Sequence, residues 1–332
     1  MNGIRYDVIG IGNAIVDIIG RCDDDFLVRH DAPKGNMRLV DAETVVSIYD
    51  DMGPGVEISG GSAANTMVGI ASFGGRAAFI GKVADDDFGK VFAHDIRAAG
   101  VEFASAPVSG KAPTSRCLIL VTPDGERTMN TYLGISTELD QGEVDPDAIR
   151  ASGIVYLEGY LFDRPEAKTA FRQAVEIARS AGRKVALTLS DGFCVDRHRG
   201  EFRDLIRNGV DILLANEDEI TSLYKTDDFE DAAQRVAVET DLAALTRSAK
   251  GSVIISKGQR IEIPVHPVER LVDSTGAGDL YAAGFLYGIA TGKDLATAGR
   301  LGSLAAAEII SHVGARPETP LSDLALDWAQ SA

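Results

Sequence analysis

The sequence predicts an α/β fold of three layers, α/β/α, in which a mostly parallel central sheet lies between helices and a small second β-sheet lies at one edge. From residue 150 onward, short apolar strands alternate with amphipathic helices, which is typical of a parallel sheet covered on both faces. The strands predicted around 14–40 and 114–132 do not follow this rhythm. We therefore expect them to form a separate small sheet, which would be a lid if it lay over the carboxyl ends of the parallel strands.

Glycine pairs and one hairpin turn define the first half of the chain. Gly60-Gly61 precedes a helix over 62–73, and Pro123-Asp124-Gly125 is a typical hairpin turn. Residues 22–40 are polar and irregular apart from a short strand at 37–40. The other elements predicted here are strands at 8–12, 14–19, 77–83, 114–121 and 127–132 and helices at 41–52 and 87–99.

The second half contains the regular alternation. Its predicted strands are at 154–157, 185–189, 210–215 and 242–246, and its predicted helices are at 165–181, 199–208, 217–224, 229–239, 294–311 and 320–330. An antiparallel piece is expected over 252–264, followed by a helix that opens at a Gly-Ala-Gly turn.

Composition excludes several classes of function. The 332 residues carry a formal net charge of −17 and no basic patch with interleaved aromatic residues, so a nucleic-acid partner is not expected. The 3 cysteines are far apart and form no zinc-type spacing, which favours a reduced, cytoplasmic setting. No signal peptide and no apolar run long enough for a membrane span is expected.

The most informative segment is Asp273–Asp279, DSTGAGD, which is followed by the apolar run 280–287. A helix that opens at Gly276-Ala277-Gly278 exposes backbone N–H groups at its positive end, and such a turn binds anions. Asp279 places a carboxylate beside it, which suits transfer of a phosphoryl group onto a hydroxyl. Ordinary helix entry with a dipole-stabilised acid is the alternative. We expect the helix N-terminus to lower the pKa of Asp279.

A second glycine-rich turn, Gly60-Gly61 followed by Ser62, opens another predicted helix. Paired glycines let a ligand approach the backbone closely, and Asn65 offers a donor and an acceptor to neighbouring hydroxyl groups. Asp17 lies in an apolar strand, where a vicinal diol could satisfy a buried carboxylate. Plain capping by Ser62 and an outward-facing Asp17 are the alternatives.

Three further segments carry polar groups in suggestive places. Asn216 and Glu219 could orient a hydrated Mg²⁺, although this spacing is also a capping signature, which we favour on spacing alone. The turn Thr246–Gly251 ends a parallel strand, where a nucleotide could bind or where an ordinary polar turn could lie. Arg127 follows the hairpin turn and could approach a phosphoryl group, unless it is a solvated surface residue.

Other nucleotide-binding motifs are absent from the sequence. The dinucleotide pattern G-x-G-x-x-G fails because Ile15 stands where the third glycine should be. No P-loop sequence occurs, and neither does the set of motifs typical of protein kinases.

Together these segments are similar to the PfkB family of carbohydrate kinases, also called the ribokinase family, along nearly the whole chain. Within the family the chain is most similar to the adenosine kinases. Gly12–Asp17 resembles their G-N-x-x-x-D, Gly60–Asn65 resembles their G-G-S-x-x-N, and Thr188-Leu189-Ser190 resembles their N-L-S. Arg127 falls where that group carries an arginine.

Two positions depart from the family pattern. Ser248 stands where glycine is usual, and Ser274 stands where threonine is common. Neither side chain belongs to the anion site, which is built from backbone groups. The substitution at Ser248 bears on the details of contact with the ATP phosphates.

The resemblance implies a ribokinase-like fold with two parts. The α/β nucleotide-binding core domain would comprise residues 1–13, 59–111 and 133–332. The small lid subdomain over the acceptor site would comprise residues 14–58 and 112–132.

The resemblance also implies an ATP-dependent kinase that phosphorylates the primary 5′-hydroxyl of a nucleoside, adenosine to AMP, with Asp279 as general base. ATP and Mg²⁺ are the implied cofactors, and a monovalent cation such as K⁺ stays open. The implied residues toward the acceptor are Asn13, Asp17, Gly60, Gly61, Ser62, Asn65 and Tyr160. Those toward ATP are Asn216, Thr246, Ser248, Gly251, Gly276 and Gly278. Asn216 and Glu219 would hold Mg²⁺ through water, and Arg127, Gly276, Ala277 and Gly278 would contact the transferring phosphoryl group.

Other functions stay open on the sequence. A family member could instead phosphorylate a free sugar such as ribose, fructose or a sugar acid, and aromatic walls for a purine would separate the two. Tyr160, Phe162 and Tyr132 are the candidates for such walls. A non-catalytic ligand sensor would not need the carboxylate of Asp279. Either a monomer or a homodimer is compatible with the sequence.

Overall fold

The structure is a computed structural model that describes residues 3–331. Residues 1, 2 and 332, which the predicted core domain includes, lie outside the described residues. In chain order the strands are β1 (Tyr6–Ile11), β2 (Ile15–Arg21), β3 (Met37–Leu39), β4 (Gly55–Gly60), β5 (Ala77–Ile80), β6 (Val101–Phe103), β7 (Ser115–Val121), β8 (Arg127–Tyr132), β9 (Ser152–Glu158), β10 (Lys184–Thr188), β11 (Ile212–Asn216), β12 (Leu242–Thr246), β13 (Ser252–Ser256) and β14 (Gln259–Ile263). The helices are α1 (Asp24–Arg29), α2 (Ala42–Asp51), α3 (Ser62–Ser72), α4 (Asp87–Ala98), α5 (Pro146–Arg150), α6 (Pro165–Ser180), α7 (Gly192–Gly209), α8 (Glu217–Tyr224), α9 (Phe229–Val236), α10 (Ala277–Ala290), α11 (Leu295–Ile309) and α12 (Leu321–Ser331).

The larger sheet has nine strands in the order β14-β13-β12-β11-β10-β9-β1-β5-β6. Within this order, the seven consecutive strands that start at β12 and end at β6 are parallel to one another. Strands β13 and β14 add an antiparallel edge. The predicted mostly parallel sheet and its antiparallel piece are therefore confirmed.

Helices cover both faces of this sheet. In β9, Ile154 and Tyr156 belong to the buried core that also contains apolar residues of α3, α10 and α11. Their neighbours Val155 and Leu157 belong to the core on the other face, with residues of α6 and α7. Because alternate side chains of a strand point to opposite faces, an apolar run such as this one predicts a strand buried on both sides.

A smaller sheet has the order β3-β8-β7-β2-β4. One face is packed against helices, since Ile18 of β2 and Leu118 of β7 share a core with Val45 and Ile48 of α2. The other face carries Asp17 and its alternate neighbours. The prediction of a separate small sheet is confirmed.

The segment predicted to be irregular contains a short helix, α1. The Asp23 side chain caps it by accepting a hydrogen bond from the N–H of Phe26 at 2.7 Å. Burial of Phe26 and Leu27 against the small sheet supplies the stabilisation that so short a helix lacks by itself. Three other short elements, β4, β6 and α5, were also missing from the predictions.

Helix α7 begins at Gly192 rather than at residue 199. The Asp191 side chain accepts a hydrogen bond from the N–H of Cys194 at 2.7 Å and so caps an additional turn. His198 has φ −122°, which places a kink between this turn and the predicted helix. Among residues 3–331, no helix combines the length and the apolar character that a membrane crossing needs.

Close helix packing fixes helix α10, which carries Asp279 in its first turn. A Cβ on Gly284 would overlap the carbonyl oxygen of Leu301 in α11, and a Cβ on Gly288 would lie 2.7 Å from the Cα of Ala298. The two helices therefore approach as closely as they do because glycine stands at the contact. The orientation of Asp279 depends on this contact.

Substituting Gly284→Ala tests the contact. Because the new methyl group has no space, the two helices must separate, and we expect a loss of about 1–3 kcal/mol in the free energy of unfolding. The matched control is Gly200→Ala in α7, where a Cβ meets nothing within 4 Å and helix propensity should raise stability slightly. Chemical unfolding of both variants is the measurement, and an equal or higher stability of Gly284→Ala would contradict the packing described.

Candidate active site

The Asp279 carboxylate receives two hydrogen bonds from helix α3. Ser62 donates from Oγ to Oδ1 at 2.6 Å, and Asn65 donates from Nδ2 to Oδ2 at 3.0 Å. Burial raises the pKa of Asp279 to about 6, although the two hydrogen bonds and the charge of Arg316 act in the opposite direction. The expectation that the helix N-terminus lowers this pKa was therefore wrong, because desolvation outweighs it. A carboxylate of this kind is a better proton acceptor than a surface aspartate.

The Gly-Ala-Gly turn lies immediately before this carboxylate. Gly276 has φ 79°, and a Cβ there would lie 2.9 Å from the Cβ of Ala315, so both conformation and space require glycine. The N–H of Ala277 donates to the carbonyl oxygen of Ser274 at 3.2 Å. Within residues 3–331, the N–H groups of Gly276 and Gly278 have no such partner. The turn therefore presents these two donors at the positive end of α10.

The Gly60-Gly61 turn brings Asp17 to the same place. Gly61 has φ 98°, and a Cβ there would overlap the carbonyl oxygen of Asn13, while a Cβ on Gly60 would overlap the Asp17 carboxylate. Asn65 lies in the first turn of the adjoining helix, and its Oδ1 is buried without a hydrogen-bond partner in the described part of the chain. An unsatisfied buried acceptor beside a carboxylate suits a ligand that donates hydroxyl groups.

Asp17 and Asp279 influence each other electrostatically. Burial raises the pKa of Asp17 to about 6, the negative charge of Asp279 adds to the increase, and Arg316 and Arg127 oppose it. Two carboxylates and two guanidinium groups thus share one cleft.

Glu158, which the sequence analysis missed, connects two of the predicted segments. Its Oε1 accepts hydrogen bonds from Nδ2 and from the N–H of Asn13 at 2.7 and 3.1 Å, and its Oε2 accepts the N–H of Ala63 at 2.8 Å. Ser136 donates to the Oδ1 of Asn13 at 2.8 Å, so the amide of Asn13 is engaged inside the protein. Glu158 is 1% exposed, and burial raises its pKa to about 7. Its place at the carboxyl end of a parallel strand was the available signal.

Arg127 connects the small sheet to the Gly-Ala-Gly segment. Its Nη1 forms an ion pair with Asp273 and donates to the Oγ1 of Thr275 at 3.1 Å. Both charged side chains are nearly buried. The Nε and Nη2 atoms of Arg127 are buried without partners among the described residues, so this guanidinium has donors left for a ligand.

Asn216 and Glu219 form a complete capping box at the start of α8. The Asn216 side chain accepts the N–H of Glu219 at 2.8 Å, and the Glu219 carboxylate accepts the N–H and Nδ2 of Asn216 at 3.0 and 2.7 Å. The capping interpretation is therefore confirmed. Burial raises the pKa of Glu219 to about 7, and nearby acids, Asp191 and Asp279 among them, add to the increase.

The Thr246–Gly251 turn lies beside this cap, since Thr246 and Asn216 are paired across β12 and β11. Ser248 has φ 50°, in the left-handed region that favours glycine, which accounts for the glycine usual at this position. Arg247 and Lys250 bind Glu217 at 3.0 and 3.3 Å. These ion pairs fix the turn against the start of α8.

The three aromatic candidates have different surroundings. Tyr160 is 39% exposed and lies close enough to Asp279 for that charge to contribute to a raised pKa of the phenol. Phe162 is 3% exposed and stacks on Phe202 at 4.0 Å between ring centroids, so it is a core residue. Tyr132 pairs with Arg116, on the face of the small sheet opposite to Asp17, and packs against the core. Of the three, only Tyr160 is available to a ligand.

The chain is similar to several known kinases. The model of the pfkB family of carbohydrate kinases matches residues 53–321. The crystal structure of adenosine kinase from Sinorhizobium meliloti is similar with a TM-score of 0.90 and 51% sequence identity, over 99% of this chain and 100% of that chain. A probable sugar kinase protein from Rhizobium etli has a TM-score of 0.91 and 49% identity, over 98% and 99% of the two chains. By sequence, an uncharacterized sugar kinase from Archaeoglobus fulgidus is 30% identical over 77% of this chain and 99% of its own length.

The raised pKa of Asp279 predicts a pH-dependent cost in stability. Because the folded state holds this proton more tightly than the unfolded chain does, the cost is absent below pH about 4, grows as the pH rises, and is complete above pH about 6. Asp279→Asn removes it, so the variant should exceed the wild type at pH 8 by on the order of 1 kcal/mol, a value reduced for partial exposure.

The measurement is chemical unfolding of the wild type and the variant at pH 4 and pH 8. Asp227→Asn, at an exposed acid in a loop, removes the same charge as a control and should change stability little at either pH. A variant that is less stable than the wild type at pH 8 would contradict the predicted cost of ionising Asp279 in the folded protein.

Proposed function

We propose that this chain, which belongs to the pfkB family of carbohydrate kinases, transfers the γ-phosphoryl group of ATP to the 5′-hydroxyl of adenosine. Membership makes the chain a phosphotransferase that acts on an alcohol group. The finer part of the proposal, the nucleoside acceptor, rests chiefly on the apolar surface that continues from Asp17 across the small sheet. The similarity to an adenosine kinase supports it.

The apolar surface begins two residues from Asp17. Ile19 lies on the same face of β2, and it pairs with Ile119 of β7 and Val56 of β4. Ile119 in turn pairs with Met129 of β8. The row therefore contains apolar side chains only, and at its edge Val56 is 64% exposed.

A nucleoside fits this surface better than a free sugar does. The ribose diol would donate to the Asp17 carboxylate and to the free Oδ1 of Asn65. A purine attached to that ribose would cover the adjoining apolar row, with Tyr160 as an aromatic neighbour. A free sugar has no apolar group of this size and would leave the row exposed to water.

Asp279 is the proposed general base. Its carboxylate would take the proton of the 5′-hydroxyl while that oxygen bonds to the γ-phosphorus and the bond to the β,γ-bridging oxygen breaks, so that AMP and ADP form. Ser62 and Asn65 hold both carboxylate oxygens, which restricts the direction of the proton transfer. The N–H groups of Gly276 and Gly278 would donate to the oxygens of the transferring phosphoryl group.

The Asn216 and Glu219 region fits a hydrated Mg²⁺ better than a directly bound one. The described residues contain no group of three or more His, Cys, Asp or Glu side chains that could hold a metal ion. Glu219 is nevertheless a buried acid without a cationic partner in that part of the chain, and its neighbours are acids, so a cation close by would relieve it. Mg²⁺, when bound, would neutralise charge on the phosphates of ATP. Asn216 and Glu219 would hold its water ligands, and Thr246, Ser248 and Gly251 would line the nucleotide.

The small sheet is the proposed lid. The Arg127–Asp273 ion pair joins it to the phosphoryl-binding turn, so that the acceptor surface and the anion site are brought together. The unpartnered Nη2 of Arg127 would then reach the transferring group. Dependence on a monovalent cation and the choice between a monomer and a homodimer stay open.

A free sugar is the second candidate acceptor. The similarity to proteins named as sugar kinases favours it. Such a substrate would still use Asp17 and Asp279 but would not need the apolar row.

Measuring ADP formation with adenosine, other nucleosides, ribose and fructose as acceptors tests the proposal. We expect adenosine to have a kcat/KM at least about a hundredfold above that of ribose, because covering an apolar ring contributes on the order of 3 kcal/mol. Turnover of a free sugar with equal or higher kcat/KM would contradict the nucleoside assignment. Absence of turnover with every acceptor would favour a ligand sensor.

Substitution at Asp17 tests the position of the diol. Asp17→Ala should raise the KM of adenosine far more than that of ATP, whereas 2′-deoxyadenosine, which lacks one donor, should lose less from the same change. The control is Asp227→Asn, which should leave both KM values unchanged. Equal losses for adenosine and ATP would contradict the proposed role of Asp17.

A further inference from the structure

Arg316 reaches the acceptor side of the cleft from the segment between α11 and α12. No segment singled out in the sequence contains it. Its guanidinium nevertheless lies at the Gly60-Gly61 turn, 257 positions away along the chain from Ser59. The residues next to the turn in the sequence therefore do not indicate this contact.

The guanidinium holds both ends of that turn. Its Nε donates to the carbonyl oxygen of Ser59 at 2.9 Å, and Nη1 donates to the carbonyl oxygen of Ala64 at 3.2 Å. Nη2 also donates to the Ser59 carbonyl oxygen and, at 2.9 Å, to the Ser59 Oγ. The last residues of β4 and the first turn of α3 are thus bound to one rigid, planar group.

Ser59 is also bound by a residue of α4. The Asp95 Oδ2 in α4 accepts the N–H of Ser59 at 2.7 Å and its Oγ at 2.6 Å. The backbone that leads into Gly60 is therefore held between an acid and a guanidinium. Gly60 lies against Asp17 and Ser62 binds Asp279, so a displacement of this backbone would move both carboxylates relative to the acceptor.

Arg316 also supplies charge. The charges of Asp17, Asp279 and Asp95 all act on its guanidinium. Burial lowers its own pKa to about 10, so it stays a cation at neutral pH. Its charge lowers the pKa values of Asp17 and Asp279 and offsets their mutual repulsion.

We propose that Arg316 is a positioning residue of the acceptor site, which holds the Gly60-Gly61 turn in place and keeps a positive charge near Asp17 and Asp279. This inference rests on the proposed function for the roles of these two acids. Arg127 and Cys117 also act on or respond to Asp17, while Glu158, Glu219, Tyr156 and Tyr160 respond to the charge of Asp279, and Asp95 acts on Arg316 itself. Arg316 and Arg127 are the cations in this set.

Two substitutions separate the contacts from the charge. Arg316→Gln removes both, and Arg316→Lys keeps the charge but cannot span the carbonyl oxygens of Ser59 and Ala64. The matched control is Arg300→Gln at an exposed position of α11. Thermal unfolding first establishes that each variant folds, and the assay then gives KM for the acceptor and for ATP and the pH profile of kcat/KM.

Arg316→Gln should raise the acceptor KM roughly 10- to 100-fold, the loss expected for buried hydrogen bonds from a charged group, with the KM of ATP changed less than about threefold. The acid limb of the profile should move to higher pH by about half a unit to one unit, because the acids lose a neighbouring cation. Arg316→Lys should restore the acid limb but not the acceptor KM. Arg300→Gln should behave like the wild type.

An unchanged acid limb in folded Arg316→Gln, or equal increases of both KM values, would overturn the inference. If Arg316→Gln does not fold, Arg316→Lys decides alone, and an acceptor KM equal to that of the wild type would overturn it. The acceptor used is the one that the wild type phosphorylates best. If the wild type does not phosphorylate adenosine, the proposed acceptor is refuted. The test of Arg316 can then still be made with a different acceptor.

Discussion

The Asp279 carboxylate is held across a junction of two helices, and the site is organised around that contact. Ser62 and Asn65 of α3 donate to both of its oxygens, while the turn before α10 directs backbone donors to the same side. Helix α10 is fixed in turn by its glycine contacts with α11. The geometry of a small polar cluster therefore follows from the packing of the large apolar helices beneath it.

Several acids lie together in this site, where burial opposes their ionisation. Burial raises the pKa values of Asp17, Glu158, Glu219 and Asp279, and the acids also repel each other. Such an arrangement is unfavourable for folding and is typical of functional sites. Arg127 and Arg316 offset part of this charge, and a substrate that donates hydroxyl groups together with a bound cation would offset more.

Local patterns determined what could be predicted. Buried parallel strands are continuous apolar runs, so the strands β9 to β12 were predicted correctly, and turns such as Gly60-Gly61 and Gly276-Ala277-Gly278 have signatures of their own. Arg316 was missed because its partners lie far away along the chain and nothing in the neighbouring residues indicates them, whereas the position of Glu158 at the carboxyl end of a parallel strand was a usable signal. The pKa of Asp279 was predicted in the wrong direction because the sequence shows the helix N-terminus but not the depth of burial. Tyr160 and Phe162 are two residues apart, and only the structure shows which one is available to a ligand.

Asp279 is the group proposed to accept the proton of the alcohol that is phosphorylated. The most direct test is the kcat of Asp279→Asn with the best acceptor and ATP, together with the dissociation constant of that acceptor. We predict that kcat falls by roughly 10²- to 10⁴-fold, the usual contribution of a positioned base, while the dissociation constant changes less than about tenfold. A variant that binds the acceptor and keeps a kcat within about threefold of the wild type would contradict the claim.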